Sequence, residues 1–309
     1  MFIWHSFMEA ASALCGRATA ITIGTFDGVH LGHRAVIGEL CRGSKERSLL
    51  SLVMTFAQHP DSIVLGEAPP LLLPLARRLE LLAELGVEAT LVLAFDDTIA
   101  ALAPEAFVKE KLHGDLGARL VVAGHDFRFG ARGSGDAGLL VSLGQQWGFE
   151  TIQVPPVVVD GTAISSTAIR WMLAAGDVAA ANRYLGYPYA VRGIVARGQR
   201  RGHRLGFPTA NITLAPGALW PRYGVYLVEI KMGGLSYHGV ANVGIKPTFG
   251  ADNEPAVEVY LFSYEGDLYH ASMDVSFLAF IRPERWFPDA GALRARIAAD
   301  IEAAKAMLT

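Results

Sequence analysis

Short apolar runs and amphipathic segments alternate along the first half of the chain. Apolar stretches at 21–24, 49–55, 89–95, 120–123 and 151–154 have the length of buried strands, and segments with helical periodicity lie between them at 33–47, 75–85 and 104–113. Gly86 stands where a helix C′ glycine would, and Pro104 near a helix start. Such alternation predicts a parallel sheet with helices on both faces, a doubly wound domain whose ligands bind at the carboxyl ends of the strands. A helix capped at Ser166 runs to Ala175 before Gly176, and a short one within 177–187 leads to a Gly186-Tyr187-Pro188 break. Beyond it short strands follow one another at 190–196, 224–232, 237–243, 257–262 and 273–280, joined by Gly- and Pro-rich turns, and helical periodicity returns only at 290–308. That succession predicts a small antiparallel β-barrel with a C-terminal helix. The expected architecture is α/β, with domains at 1–185 and 186–309.

At 309 residues each half can bury its own core, and 51% hydrophobic with 18% charged residues excludes a disordered chain. Charges and turn residues interrupt every apolar run before the roughly 18 residues of a membrane span. The first ten residues lack a basic region and carry Glu9, which argues against a secretory signal. Two cysteines, Cys15 and Cys41, give no disulfide framework, so a cytoplasmic protein is expected. A net charge of −3 and a pI of 6.3 offer no basic surface to nucleic acid. One local basic cluster, Arg197, Arg200, Arg201, His203 and Arg204, reads either as a solvated loop or as a site for a small polyphosphate.

The stretch Ile21-Thr22-Ile23-Gly24-Thr25-Phe26-Asp27-Gly28-Val29-His30-Leu31-Gly32-His33 runs from strand through a glycine-studded turn into a helix. A helix start offers unpaired N–H groups to an anion, and Gly24, Gly28 and Gly32 allow close backbone approach. His30 and His33, at i and i+3, can bond one phosphate together; two ordinary turn histidines fit the same spacing. A zinc site would need further ligands, and the cysteines form no ligand pair with these histidines. Three later stretches also fall at predicted strand ends. Thr55-Phe56-Ala57-Gln58-His59-Pro60 offers His59 as a polar contact and Phe56 as an aromatic wall, or is simply a loop ended by proline. Residues 124–133 alternate aromatic, basic and glycine residues, which suits a planar ring beside phosphates. In Ile164-Ser165-Ser166-Thr167-Ala168-Ile169-Arg170, Ser166 is an expected N-cap, and three hydroxyls followed by Arg170 suit an oxyanion at a helix start. In the second half Gly198, Gly202 and Gly206 make a loop able to close over phosphates. Thr209 and Asn211 then point to one face of an extended segment, offering two neutral oxygens to a hard cation such as Mg²⁺, or simply opening a strand.

The segment from Gly24 to His33 resembles the His-x-Gly-His signature of the nucleotidyltransferase superfamily, in the form used by bacterial bifunctional riboflavin kinase/FAD synthetases. The Thr-Phe-x-x-His-Pro, Gly-x-Asp-Phe-x-Phe-Gly and Ser-Ser-Thr-x-Ile-Arg segments match the same family in order. Gly198-x-x-x-Gly202-x-x-x-Gly206-x-Pro208-Thr209-Ala210-Asn211 resembles the riboflavin kinase signature, and the likeness continues through Gly224-Val225-Tyr226, Asn242–Phe249 and Val257-Glu258-Val259-Tyr260-Leu261. Thr25 stands where Asn is expected, Ala57-Gln58 is atypical, and Lys246 replaces an expected Arg, keeping the charge without the bidentate fork.

The resemblance implies ATP contacts at Gly24, Phe26, Asp27, Gly28, Ser166 and Thr167 in the first half and at Gly198, Gly202 and Gly206 in the second. It implies flavin contacts at Phe56, His59, Asp126, Phe127 and, within the loop 281–287, Arg282. It implies Mg²⁺ with ATP at Thr209 and Asn211, and catalytic roles for His30, His33, Arg170 and Glu258. The expected chemistry is phosphorylation of riboflavin to FMN by the C-terminal domain, then adenylylation of FMN to FAD by the N-terminal one. Its partners are small molecules, and the family leaves weak self-association open. An adenylyltransferase for another substrate leaves the Pro208–Asn211 motif without a role. A non-enzymatic flavin sensor would show degraded motifs, and His30, His33, Arg170, Thr209, Asn211 and Glu258 are all present.

Overall fold

The computed structural model describes residues 1–64, 66, 68–196, 206–214, 219–245, 255–264 and 266–308. They form two compact units, Met1–Ser166 and Thr167–Thr309.

In chain order the first unit holds β1 (Phe2–Trp4), α1 (Phe7–Leu14), β2 (Thr19–Ile23), α2 (Leu31–Glu46), β3 (Leu50–Phe56), α3 (Asp61–Val64), α4 (Leu75–Glu84) and β4 (Ala89–Leu93). There follow α5 (Asp97–Ala100), α6 (Pro104–Ala106), a π-helix (Phe107–Asp115), β5 (Ala118–Gly124), α7 (Ala137–Trp147), β6 (Glu150–Val154) and a ribbon of β7 (Val158–Val159) and β8 (Thr162–Ala163). Six strands pair in parallel in the order β1-β4-β3-β2-β5-β6. The predicted sheet is therefore present, with β1 added at its edge. From β2 the chain winds outward through β3 and β4, then crosses to β5 on the other side of β2. The carboxyl ends of β2 and β5 thus flank a topological switch point, where open α/β sheets take their ligands.

Apolar runs such as Leu50-Ser51-Leu52-Val53-Met54 are buried on both faces, as strands covered by helices on each side must be. Each fully buried Leu, Ile or Val contributes about 1.5–3 kcal/mol over its exposed state. The predicted α-helix over 104–113 is instead one α-turn followed by the π-helix. The wider turn puts Val108, Leu112 and Leu116, spaced by four, together in the core with Phe107.

Helix α8 (Ser166–Ala175) runs from the last residue of this unit into the second, where α9 (Val178–Leu185) ends on Gly186 at φ 79°. Strands β9 (Ala190–Ala196), β10 (Ala210–Leu214), β11 (Gly224–Met232), β12 (Leu235–Ile245), β13 (Pro255–Leu261) and β14 (Ser272–Pro283) close into an antiparallel barrel in the order β10-β13-β12-β11-β14-β9. Alternation fills its interior with Val195, Ile212, Tyr226, Val228, Val243, Val257, Val259 and Phe277. The C-terminal helix Ala290–Ala306 lies on the outer face, where Ile301 and Ala304 pack with Val225, Leu227 and Val240.

Candidate functional sites

Beyond β2 the backbone takes a left-handed corner: Phe26 at φ 47°, Gly28 at 84° and Val29 at 36°. For a β-branched residue such as Val29 this conformation is strained, and it persists because the surroundings over-determine it. Asp27 is fully buried, and its two carboxylate oxygens accept the backbone N–H groups of Leu72 at 3.0 Å and Leu73 at 3.2 Å. Its carbonyl accepts the Ser166 hydroxyl at 2.8 Å. Arg78 of α4, 1% exposed, donates to the carbonyls of Thr25 at 2.6 Å, Phe56 at 3.1 Å and Ala57 at 3.4 Å, joining the ends of β2 and β3.

The corner delivers His30 to the N-cap of α2, where its Nδ1 accepts the His33 N–H at 3.2 Å. The proton of the neutral His30 ring therefore sits on Nε2. One turn on, the His33 ring stacks on His30 with centroids 3.6 Å apart and planes 15° from parallel, and meets the Phe26 ring edge-on at 5.3 Å. Burial pushes the His30 pKa down from 6.5 to about 4. His33 is held well below its ordinary value, first by loss of water, then by His30 and by the Arg78 cation. Its Nδ1 is buried without a hydrogen-bond partner among the described residues. Two glycines of the motif have a tighter reason than approach to a ligand. A Cβ at Gly32 would lie 3.2 Å from the His30 ring, and one at Gly24 would lie 3.3 Å from the Phe26 ring.

These buried neutral histidines predict an acid-labile fold. Below pH 6.5 the unfolded chain binds protons that the folded one does not, so stability falls as pH drops from about 6.5 towards about 4. For His30 alone the loss at the lower end is about 3 kcal/mol. Urea unfolding followed across this range should show the decline, and His30→Gln should flatten it; equal slopes in both proteins would remove the histidine as its cause.

In the second unit one row of side chains runs around the outside of the barrel. Cross-strand partners Asn211, Glu258, Asn242, Val225 and Arg282 belong to β10, β13, β12, β11 and β14 in turn. The next row, Tyr260, Val240, Leu227 and Ala279, is apolar and lies with the helix contacts. A cavity of about 430 Å³ opens over both rows. Thr209, Asn242, Glu258 and Glu284 line its polar part, and Phe207, Tyr260, Phe287, Ile297 and Ile301 its apolar part. Glu284 reaches over Gly244, where a Cβ would overlap its carboxylate, and accepts from Asn242 Nδ2 at 3.5 Å. The Arg282 guanidinium is forked onto Asp300, which is 3% exposed on the C-terminal helix, with N–O distances of 2.7–3.0 Å. That pair joins β14 to the C-terminal helix in the cavity lining.

Family profiles match both halves: FAD synthetase at residues 13–168 and riboflavin kinase at residues 185–308. The chain is 38% identical to the bifunctional riboflavin kinase/FMN adenylyltransferase of Pseudomonas fluorescens, over 94% of this chain and 93% of that one. It is 36% identical to the protein of the same name in Bacillus subtilis, over 87% and 86% of the two chains. The chain belongs to the bifunctional riboflavin kinase/FMN adenylyltransferase family. A crystal structure named as a macrolide-efflux protein from Streptococcus pneumoniae superimposes with a TM-score of 0.86 at 32% identity, covering 94% of each chain. That name describes the streptococcal protein; among the described residues of this chain no helix is long and apolar enough to cross a membrane.

Against the motifs of this bifunctional family, the structure gathers Gly24, Phe26, Asp27, Gly28, His30, His33 and Ser166 around one corner. Within it Phe26 and Asp27 are buried supports, and Ser166, expected to cap α8, is its first residue with its hydroxyl turned to Asp27. Thr167, exposed, and Arg170, half-buried, follow on α8 in the second unit. Phe56 packs edge-on against Phe95 at 5.2 Å, and His59 accepts the Asp61 N–H within its own loop at 3.2 Å. Phe127 stacks on Phe129 at 5.6 Å, while the Asp126 side chain is 82% exposed. Gly206 is described at φ 84°, whereas Gly198, Gly202 and Lys246 lie outside the described residues. Sequence reasoning missed Arg78 and Glu284. An arginine on a charged amphipathic helix reads as solvent-facing, and no local pattern reveals that Gly244 makes room for the carboxylate of Glu284, just past the end of β14.

Proposed function

We propose that this chain phosphorylates riboflavin to FMN in residues 186–309 and adenylylates FMN to FAD in residues 1–185. What carries the reading is the coincidence, on one chain of this family, of the His30–His33 stack at a switch point with the Glu258 row over a half-apolar cavity. The cavity suits a molecule with a flat apolar ring and a polyol tail. Its aromatic end would take the ring, leaving the tail beside Glu258.

In the kinase half the Glu258 carboxylate takes the proton of the ribityl 5′-hydroxyl as that oxygen bonds to the γ-phosphorus and ADP leaves. Magnesium arrives with ATP, and the donor set fits it: Thr209 and Asn211 offer neutral oxygens in reach of the Glu258 row, suited to a hard ion that keeps much of its water. Bound there, it would neutralise charge on the phosphates. Gly198, Gly202 and Gly206 are assigned to cover the nucleotide, and Arg282 to hold the flavin-side loop through Asp300.

In the other half an FMN phosphate oxygen bonds to the α-phosphorus of ATP and pyrophosphate leaves. The nucleophile is already ionised, so catalysis rests on position and charge stabilisation rather than a base. His30 and His33, kept neutral by burial, donate to the phosphates of ATP and are open to protonation as negative charge arrives. The motif alone assigns Ser166, Thr167 and Arg170 to the departing phosphates. Phe56, His59, Asp126 and Phe127 line the flavin side, and we place the reaction in the cytoplasm.

A chromatographic time course with riboflavin and MgATP tests this. FMN should appear first and FAD follow. FMN alone would confine the activity to the barrel, and flavin binding without turnover would favour a sensor.

A further inference from the structure

Among the described residues Arg78 is the largest side chain buried below 2% exposure, and its contacts are unusual in kind. Its fork is spent on three main-chain carbonyls and, at 3.5 Å, on the Thr55 hydroxyl. All four acceptors belong to the carboxyl ends of β2 and β3 or the turns that leave them. Thr25 is the residue before the left-handed corner, and Phe56 and Ala57 open the Phe-x-x-His-Pro loop. Burying a guanidinium is costly, and this one keeps its Nε without a partner among the described residues. The other buried residues of α4 are Leu81 and Leu82.

Resting on the adenylyl-transfer reading, we propose that Arg78 is a positioning residue of the N-terminal site: its fork fixes the Thr25 and Phe56–Ala57 carbonyls, and so the corner that presents His30 and His33. The strain at Phe26 and Val29 is then held by a bond to the carbonyl immediately before it, together with the Asp27 clamp behind it. The same cation also acts on His33 through charge. Among the described residues, His30 at the helix N-cap also opposes a proton on His33, Asp126 after β5 favours one on His30, and Asp27 within the corner acts on Arg78. Arg78 thus adds to loss of water and to His30 in opposing a proton on His33 before the phosphates bring negative charge.

Two substitutions separate the fork from the charge. Arg78→Lys keeps a cation but cannot bridge three carbonyls. It is expected to lower the rate of FAD formation from FMN about 10²-fold, as misplacement by an ångström does, with riboflavin phosphorylation unchanged. Arg78→Met removes the charge, and the NMR titration midpoint of the His33 ring should then move upward from its wild-type position. Wild-type FAD formation by Arg78→Lys, or an unmoved His33 midpoint in a folded Arg78→Met protein, overturns the proposal. If Arg78→Met does not fold, the Arg78→Lys rate decides. A wild-type chain that makes no FAD defeats the functional reading instead, and the His33 midpoint still decides what Arg78 does.

Discussion

His33→Ala is expected to cut FAD formation from FMN by about 10²–10³-fold, the usual effect of removing one donor aimed at developing phosphate charge. Riboflavin phosphorylation by the same protein should stay at the wild-type rate. The size follows from what the ring does in place. It stacks on His30 at 3.6 Å and meets Phe26 edge-on, so its loss removes one donor and unsettles the other. A ring whose pKa burial holds well below 6.5 costs the fold stability once the unfolded chain can protonate, so the stability difference between the alanine protein and wild type should shift in favour of the alanine protein from pH 7.5 to pH 5. The comparison of both activities and a melt at pH 5 and pH 7.5 therefore separates a catalytic loss from an unfolded domain. FAD formation within tenfold of wild type would leave His33 a packing residue, and loss of both activities would argue against independent sites.

How much of this was legible in the sequence depends on the range of the contact. Each predicted run lies within a few residues of a strand, because a strand buried on both faces and a half-buried strand write their patterns locally, whereas β10 is foreshadowed only as the extended segment of Thr209 and Asn211 and the two-residue ribbon β7–β8 not at all. The edge strand Phe2–Trp4 was not read: it has three residues and buries only Trp4, too few for a period to show. Helix α7 was obscured by Gly138 and Gly144, and the second is required because a Cβ there would lie 2.7 Å from the Phe149 carbonyl. His30 and His33 were legible because i,i+3 spacing at a helix start is itself the geometry. Asp27 was legible as a motif residue but not as a buried clamp, since its partners Leu72 and Leu73 lie more than forty positions away. The Glu258 row was half legible. Alternation turns Glu258 away from Val257 and Val259, but only strand register joins it to Asn211 and Asn242.

That register makes Glu258→Gln the sharpest test of the barrel. Glutamine has nearly the shape of glutamate and can hydrogen-bond, so the row and the cavity over it should remain; what is lost is the capacity to take a proton. A general base contributes about 10²–10⁴-fold, and riboflavin phosphorylation should fall by that factor. Supplied with riboflavin, the variant should accumulate neither FMN nor FAD; supplied with FMN and ATP, it should make FAD at the wild-type rate. Riboflavin affinity distinguishes a base from a wall. The apolar row of Tyr260 and Val240 and the helix residues Ile297 and Ile301 are untouched, so binding measured by flavin fluorescence should change little while turnover collapses. Weakened binding with turnover preserved at saturation would make Glu258 a contact for the polyol. Turnover within a few-fold of wild type would mean that the 5′-hydroxyl loses its proton without help from this carboxylate.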